Sequence, residues 1–252
     1  MVINSLNESE IKEIVKKLEN KKLTLTSHLY KRFPGKSIGE ASEIFANKYS
    51  ADAREKPALA LLAVVLSIHR NYTKIVEPRI DRIRQTAFCT FVDLKEKTKN
   101  IETFTNFCEM RAPEKYNIII SILAAIDKLK EHNAEDDDFE VLHEWAEEAD
   151  FRNHEKDIIG SINGVGLATF QHLRMNFGAD TVKPDQRVKE VLKREFRFNL
   201  SNDIENIVAV KRIAEVMCKS ALYIDQVFVN YGSGYYFKEN NDNINNDDSL
   251  KE

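Results

Sequence analysis

The sequence predicts an all-α fold, and three observations predict it. In 252 residues there are only 8 Gly and 5 Pro, too few turn formers for a sheet-rich or fibrous chain. Apolar residues recur at helical spacing along most of the chain, and no convincing alternating segment marks a strand. The composition, 42% hydrophobic and 31% charged, supplies a core and excludes a wholly disordered protein.

Each element has its own signal. Asn7 or Ser9 is placed to cap a helix running to about Glu19, with Ile11, Ile14, Val15 and Leu18 on one face. Ser37 starts a second, carrying Ile38, Ala41, Ile44 and Phe45. Pro57 sits where a first-turn proline belongs, and Ala58 to Ile68 is apolar nearly all round, as a central buried helix must be. Further helices are expected at about Pro78–Phe91, Thr103–Glu109, Glu114–Lys130, Phe139–Ala149, His154–Ile162 and Leu167–Phe177. Asp185 or its neighbour caps a helix to about Phe196, and Asp203–Tyr231 reads as one long helix or two in series. Beyond Phe237 the Asn- and Asp-rich run lacks apolar content, so a disordered acidic tail is expected over 239–252.

Cys89, Cys108 and Cys218 stand apart, without the spacing of a zinc or iron–sulfur cage or of a disulfide framework, and the six histidines show no metal spacing. Cys218 is expected to be a small buried hydrophobe and Trp145 a core residue. The N-terminus lacks a secretion signature, and the longest apolar run, Ala58 to Leu66, is too short to span a bilayer. A cytoplasmic protein with no membrane partner is therefore expected.

The net charge of −4 conceals an uneven distribution. Residues 239–252 hold five acids and one base, and Glu135 to Asp157 hold eleven acids and two bases. The rest is consequently basic, with excesses over Arg70–Arg84 and Arg174–Arg197. A basic face able to meet nucleic acid is one reading and ordinary solvated helix faces the other.

The most informative stretch is Ile162-Asn-Gly-Val-Gly-Leu-Ala-Thr-Phe170, a glycine hairpin between two helical patterns. Its two glycines permit positive φ and leave amides uncovered, and a helix begins just after them. Such amides at a helix N-terminus suit a phosphate oxygen. A plain helix-to-helix turn is the competing reading.

The continuation, Leu173 to Val188 through Lys183-Pro-Asp185, resembles the helix-hairpin-helix DNA glycosylase superfamily, the endonuclease III-like fold. Gly166 and Asp185 are 19 residues apart, the reach that family shows between its hairpin and an Asp opening the next helix. Leu66-Ser-Ile-His-Arg-Asn-Tyr72 is similar to the family's earlier L-S-x-Q segment, and the likeness covers about Pro57 to Gly234. It implies two helical lobes with DNA between them: a barrel over 54–178, and a second lobe made of 1–53 together with 179–238. It also implies that a monovalent cation is held by loop carbonyls of the hairpin. Five departures stand out. Ala168 occupies the position of the Schiff-base lysine of bifunctional members, and the four-cysteine cluster is absent, so no iron–sulfur cofactor is expected. Asn163 replaces the usual proline, and His69 stands for the gap-filling Gln. Gln186-Arg187 also replaces Thr-His.

The resemblance makes Asp185 the catalytic carboxylate of a monofunctional DNA N-glycosylase, an enzyme without Schiff-base lyase activity. The competing reading of Asp185 is a helix cap after Pro184. Candidate DNA contacts are Gly164, Val165, Gly166, Ala168 and Thr169 of the hairpin, with His69, Arg70 and Tyr72 as wedge or pocket lining. Lys183, Arg187 and Arg174 are candidate phosphate contacts, against the bland reading of solvated basic residues. The aromatic run Asn230 to Phe237 either stacks on a base or packs the C-terminal segment onto the body. Two alternatives of other classes stand beside the enzyme: a DNA-binding or sensing protein on the same fold, and a helical protein-interaction domain.

Overall fold

Capping chemistry starts most of the helices. In the computed structural model, which describes residues 6–133 and 135–236, fourteen α-helices account for the regular structure, and only two isolated bridges pair extended backbone. Asn7, not Ser9, caps α1 (Glu8–Glu19) in a reciprocal box with Glu10, and Ser37 does the same with Glu40 for α3 (Ile38–Ala46). Two short helices that periodicity does not reveal, α2 (His28–Arg32) and α4 (Ala51–Glu55), flank α3, each only five residues long. The expected tail over 239–252 lies outside the described residues.

Helix α5 (Pro57–Ser67) is central: nine of its eleven residues are buried, and α4, α6, α7, α9 and α11 pack around it. Its end is unusual. The ammonium of Lys115, itself 2% exposed, donates to the carbonyls of Val65 (3.3 Å), Leu66 (2.9 Å) and Ile68 (2.5 Å), so a buried cation caps the helix C-terminus. Burial, with the charge of Arg70 nearby, pushes that ammonium down to about 8. The chain then turns through His69 at φ +52° into a π-helical turn, Tyr72–Val76.

The helix expected over Pro78–Phe91 is corrected. It begins earlier, as α6 (Glu77–Arg84), and ends at Arg84; after a turn, Thr90 forms a capping box with Asp93 and makes Phe91 the first residue of α7 (Phe91–Lys97). Next come α8 (Ile101–Cys108), α9 (Pro113–Asn133) and α10 (Asp138–Glu148). The helix expected over His154–Ile162 is replaced by a 3₁₀ turn, Phe151–Lys156, and an Asp157 turn. The Asp157 carboxylate takes the amides of Ile159 (2.7 Å) and Gly160 (3.0 Å) together with the indole N–H of buried Trp145, which offers the backbone an alternative to helix.

After α11 (Leu167–Asn176) and α12 (Gln186–Glu195), the span 203–231 resolves into α13 (Asp203–Met217) and α14 (Ala221–Gly232). They break at Cys218, which is exposed at φ +50° instead of buried as expected, because it is the left-handed end of α13. Ser220 caps α14 through Tyr223, and the Asp180 carboxylate accepts the amides of Ala221 and Leu222 (3.1 and 2.9 Å).

Contacts sort the helices into two packed groups: α4 to α11 around α5, and α1, α3, α12, α13 and α14 around α14. The chain passes from one to the other twice, between α3 and α4 and between α11 and α12. The C-terminal aromatics close the second group. Tyr231 and Tyr236 are buried and stacked with centroids 4.6 Å apart, and Tyr235 O accepts the Thr24 amide (3.0 Å), so this segment packs onto the body.

Candidate functional site

The hairpin joins the 3₁₀ region to α11, and its two glycines are there for different reasons. Gly164 has φ +92°, and a Cβ on it would lie 2.7 Å from Ile118 Cδ1 on α9, so the fold itself demands glycine. Gly166 has φ −79° and ψ 171°, which any residue adopts, and a Cβ there would meet nothing within 4 Å. Positive φ is therefore needed at one glycine only. Val165 turns its side chain into the core at 4% exposure, and its amide is closed onto Ile162 O (2.9 Å). Among the described residues no acceptor meets the amides of Gly164, Gly166, Leu167, Ala168 or Thr169, because the cap residue Gly166 has no side chain to offer. The carbonyls of Asn163, Gly164 and Val165 likewise receive no N–H among the described residues.

Helix α11 carries a polar face inward. Arg174, a candidate phosphate contact by sequence, is buried: Nε donates to Ala146 O (2.8 Å) and Nη1 to Gln171 Oε1 (2.9 Å). Gln171 Nε2 in turn donates to Thr181 Oγ1 (2.6 Å) and Val182 O (3.0 Å). Arg174 thus holds the loop leading to Asp185 and is corrected to an internal role.

That loop ends in a tight turn. The Asp185 amide donates to Lys183 O (2.8 Å) across buried Pro184, and Asp185 Oδ1 accepts the amides of Arg187 (2.9 Å) and Val188 (3.1 Å), capping α12. Among the described residues no donor reaches Oδ2. From the other side, Asp225 on α14, only 1% exposed, accepts the Lys183 amide at Oδ1 (3.1 Å) and Gln226 Nε2 at Oδ2 (3.1 Å). Burial and the neighbouring charge of Asp185 hold the Asp225 carboxyl well above the usual carboxylate range. Asp225 shares a face of α14 with Gly232, where a Cβ would come within 3.0 Å of Arg187 Cβ; this close approach seats α14 on the first turn of α12.

Two more side chains complete the cluster. Tyr49, from the α3–α4 crossing, stands near Asp225, Tyr72 and Asp185, and burial with these neighbours raises its phenol. His172, one helical turn after Ala168, lies by Lys183; burial and that positive charge hold its imidazole well below 6.5 and so neutral. No protein-family model, curated protein or solved structure matches this chain.

Of the residues singled out by sequence, the structure joins the Lys183–Asp185 turn to Asp225 by a hydrogen bond, whereas Tyr72 stands exposed. Ala168 and Thr169 open the helix that carries His172. His69 and Arg70 stand exposed at the end of α5, and Arg187 is exposed on α12. The basic excess over Arg70–Arg84 shrinks to Arg70 and Lys74, since Arg79 holds Ile75 O, Arg82 holds Phe107 O and Arg84 pairs with Asp52. Lys183 and Arg187 carry no ion pair among the described residues. The two surface depressions, of about 390 and 500 Å³, lie along α10 and the end of α9, away from Asp185. No group of three His, Cys, Asp or Glu among the described residues is arranged to hold a metal ion. Sequence reasoning missed Tyr49, His172 and Asp225. Only Asp225 left a signal, an acid inside the apolar helix Ala221 to Tyr231.

Proposed function

We propose that this chain is a monofunctional DNA N-glycosylase with Asp185 as its catalytic carboxylate. The state of Asp185 carries the reading. One oxygen holds the start of α12, the other accepts nothing, and the turn bearing it is fixed from α11 and α14 where the two helix groups meet. The division of the helices into two packed groups supports the two-lobed arrangement that the family resemblance implies. In the reaction, the N-glycosidic bond breaks with its electron pair on the departing base. The oxygen of water bonds to the sugar carbon, and Asp185 stabilises the positive charge on the sugar and takes the proton that water sheds. The base is first drawn out of the stack, at a cost of roughly a few kcal/mol.

The hairpin supports DNA as the partner: its unpaired amides suit a phosphate, and the open space over Gly166 lets a backbone approach. The free carbonyls of Asn163, Gly164 and Val165 fit the monovalent cation that the resemblance implies, which would add positive charge beneath that phosphate. Taken alone, the hairpin supports a second reading, a DNA-binding protein without base chemistry.

Duplexes carrying deaminated, oxidised or alkylated bases separate the two. The expected result is base release with strand cleavage only after alkali, and no complex trapped by borohydride, because Ala168 supplies no amine for an imine. A trapped adduct would transfer the chemistry to Lys183. Binding to these duplexes without any base release would favour the second reading.

A further inference from the structure

We propose that Asp225 is a positioning residue for Asp185: from α14 it pins the Lys183–Pro184–Asp185 turn, setting where the catalytic carboxylate stands. This inference rests on the reading of Asp185 given above. The turn has three anchors. Gln171 holds Val182 O from α11, the Asp185 carboxylate grips α12, and Asp225 takes the Lys183 amide. Asp225 supplies the one anchor of the three that comes from α14. Its two oxygens let it accept the Lys183 amide and the Gln226 side-chain N–H together, which an amide with a single oxygen cannot do in the same geometry.

The test uses the full chain, an excisable duplex from the panel above, and two variants. Asp225→Leu removes the acceptor. Single-turnover excision should fall about tenfold or more, DNA affinity should stay unchanged, and the Lys183 amide should exchange faster with solvent. Asp225→Asn keeps an acceptor oxygen for the Lys183 amide; it should restore amide protection and most of the rate. An Asp225→Leu protein that excises at the native rate overturns the positioning role and leaves the reading of Asp185 standing. Parallel loss of rate, affinity and melting temperature in both variants also overturns it, by marking a purely structural carboxyl. A native protein that releases no base from any duplex overturns the reading of Asp185, and the positioning role with it.

Discussion

Helices α11 and α12 begin 19 residues apart, and their N-termini have been finished in opposite ways. The first turn of α12 is closed from within: Asp185 fills its amides, Val188 is buried and Gly232 of α14 lies against Arg187. The first turn of α11 is left open, with a cap residue that has no side chain and amides that meet no acceptor. A helix start left unsatisfied inside a protein is costly, so one left unsatisfied at the surface is a place for water or an external anion. Under the proposed function the two ends would do different work: the α11 end would offer donors to a DNA backbone, and the α12 end a carboxylate oxygen to the reaction.

The largest effect is expected from breaking the α12 end. Asp185→Asn retains an oxygen able to cap, so melting temperature and DNA affinity should stay close to native. Loss of the charge should nevertheless lower base excision by roughly a hundredfold or more, the scale of a preorganised contact worth about 3 kcal/mol. Asp185→Ala should lose excision and, in addition, about 1 kcal/mol of stability with the cap. If the Asn variant excises as well as the native protein, Asp185 is a cap and nothing more.

The glycines sharpen the other half of the comparison. Gly164→Ala should cost roughly 1–3 kcal/mol of stability, because an L side chain is strained at positive φ and would press on Ile118. Gly166→Val should melt near the native temperature, yet weaken binding to duplexes of every sequence by about tenfold, since its side chain would stand where the backbone approaches. Native affinity in a folded Gly166→Val protein would remove the hairpin from the DNA interface.

The smallest effect concerns His172, which links the two ends from the middle of α11. Its imidazole is held neutral in the folded protein well below the pH at which it protonates in the unfolded chain. As pH falls through about 6.5, the unfolded state binds the proton first and stability declines. His172→Gln cannot take up that proton, so its loss of melting temperature between about pH 7.5 and about pH 5 should be smaller than native by about 3 °C. An equal acid sensitivity in both proteins would mean that His172 is free to protonate in place.

Much of this molecule was legible from local chemistry. The starts of α1, α3, α5 and α12 follow from Asn7, Ser37, Pro57 and Asp185, because a cap or a first-turn proline acts on amides within three residues of itself. The misread segments were also local competitions. Asp157 and Gly160 stop the helix expected after His154 with a side-chain turn, and the helix expected from Pro78 to Phe91 ends at Arg84, with Thr90 and Asp93 capping the start of the next one. Basic residues were the least readable. Arg79, Arg82, Arg84 and Arg174 resemble Arg70 and Arg187 in sequence, but their donors are taken up by backbone carbonyls and carboxylates that only packing brings within reach.

By itself the sequence determined that the chain is helical, where its core helix runs, and that a glycine hairpin precedes a capping aspartate by one helix. Those properties depend on periodicity and on neighbours a few residues apart. Only the tertiary structure decided that Gly164 answers to Ile118 while Gly166 faces open space, and that Asp225 holds the turn that carries Asp185. Lys183 and Asp225 are 42 residues apart in the chain. Their meeting depends on how α14 seats against α12 and on where the chain crosses between the helix groups, and neither is encoded in any local pattern.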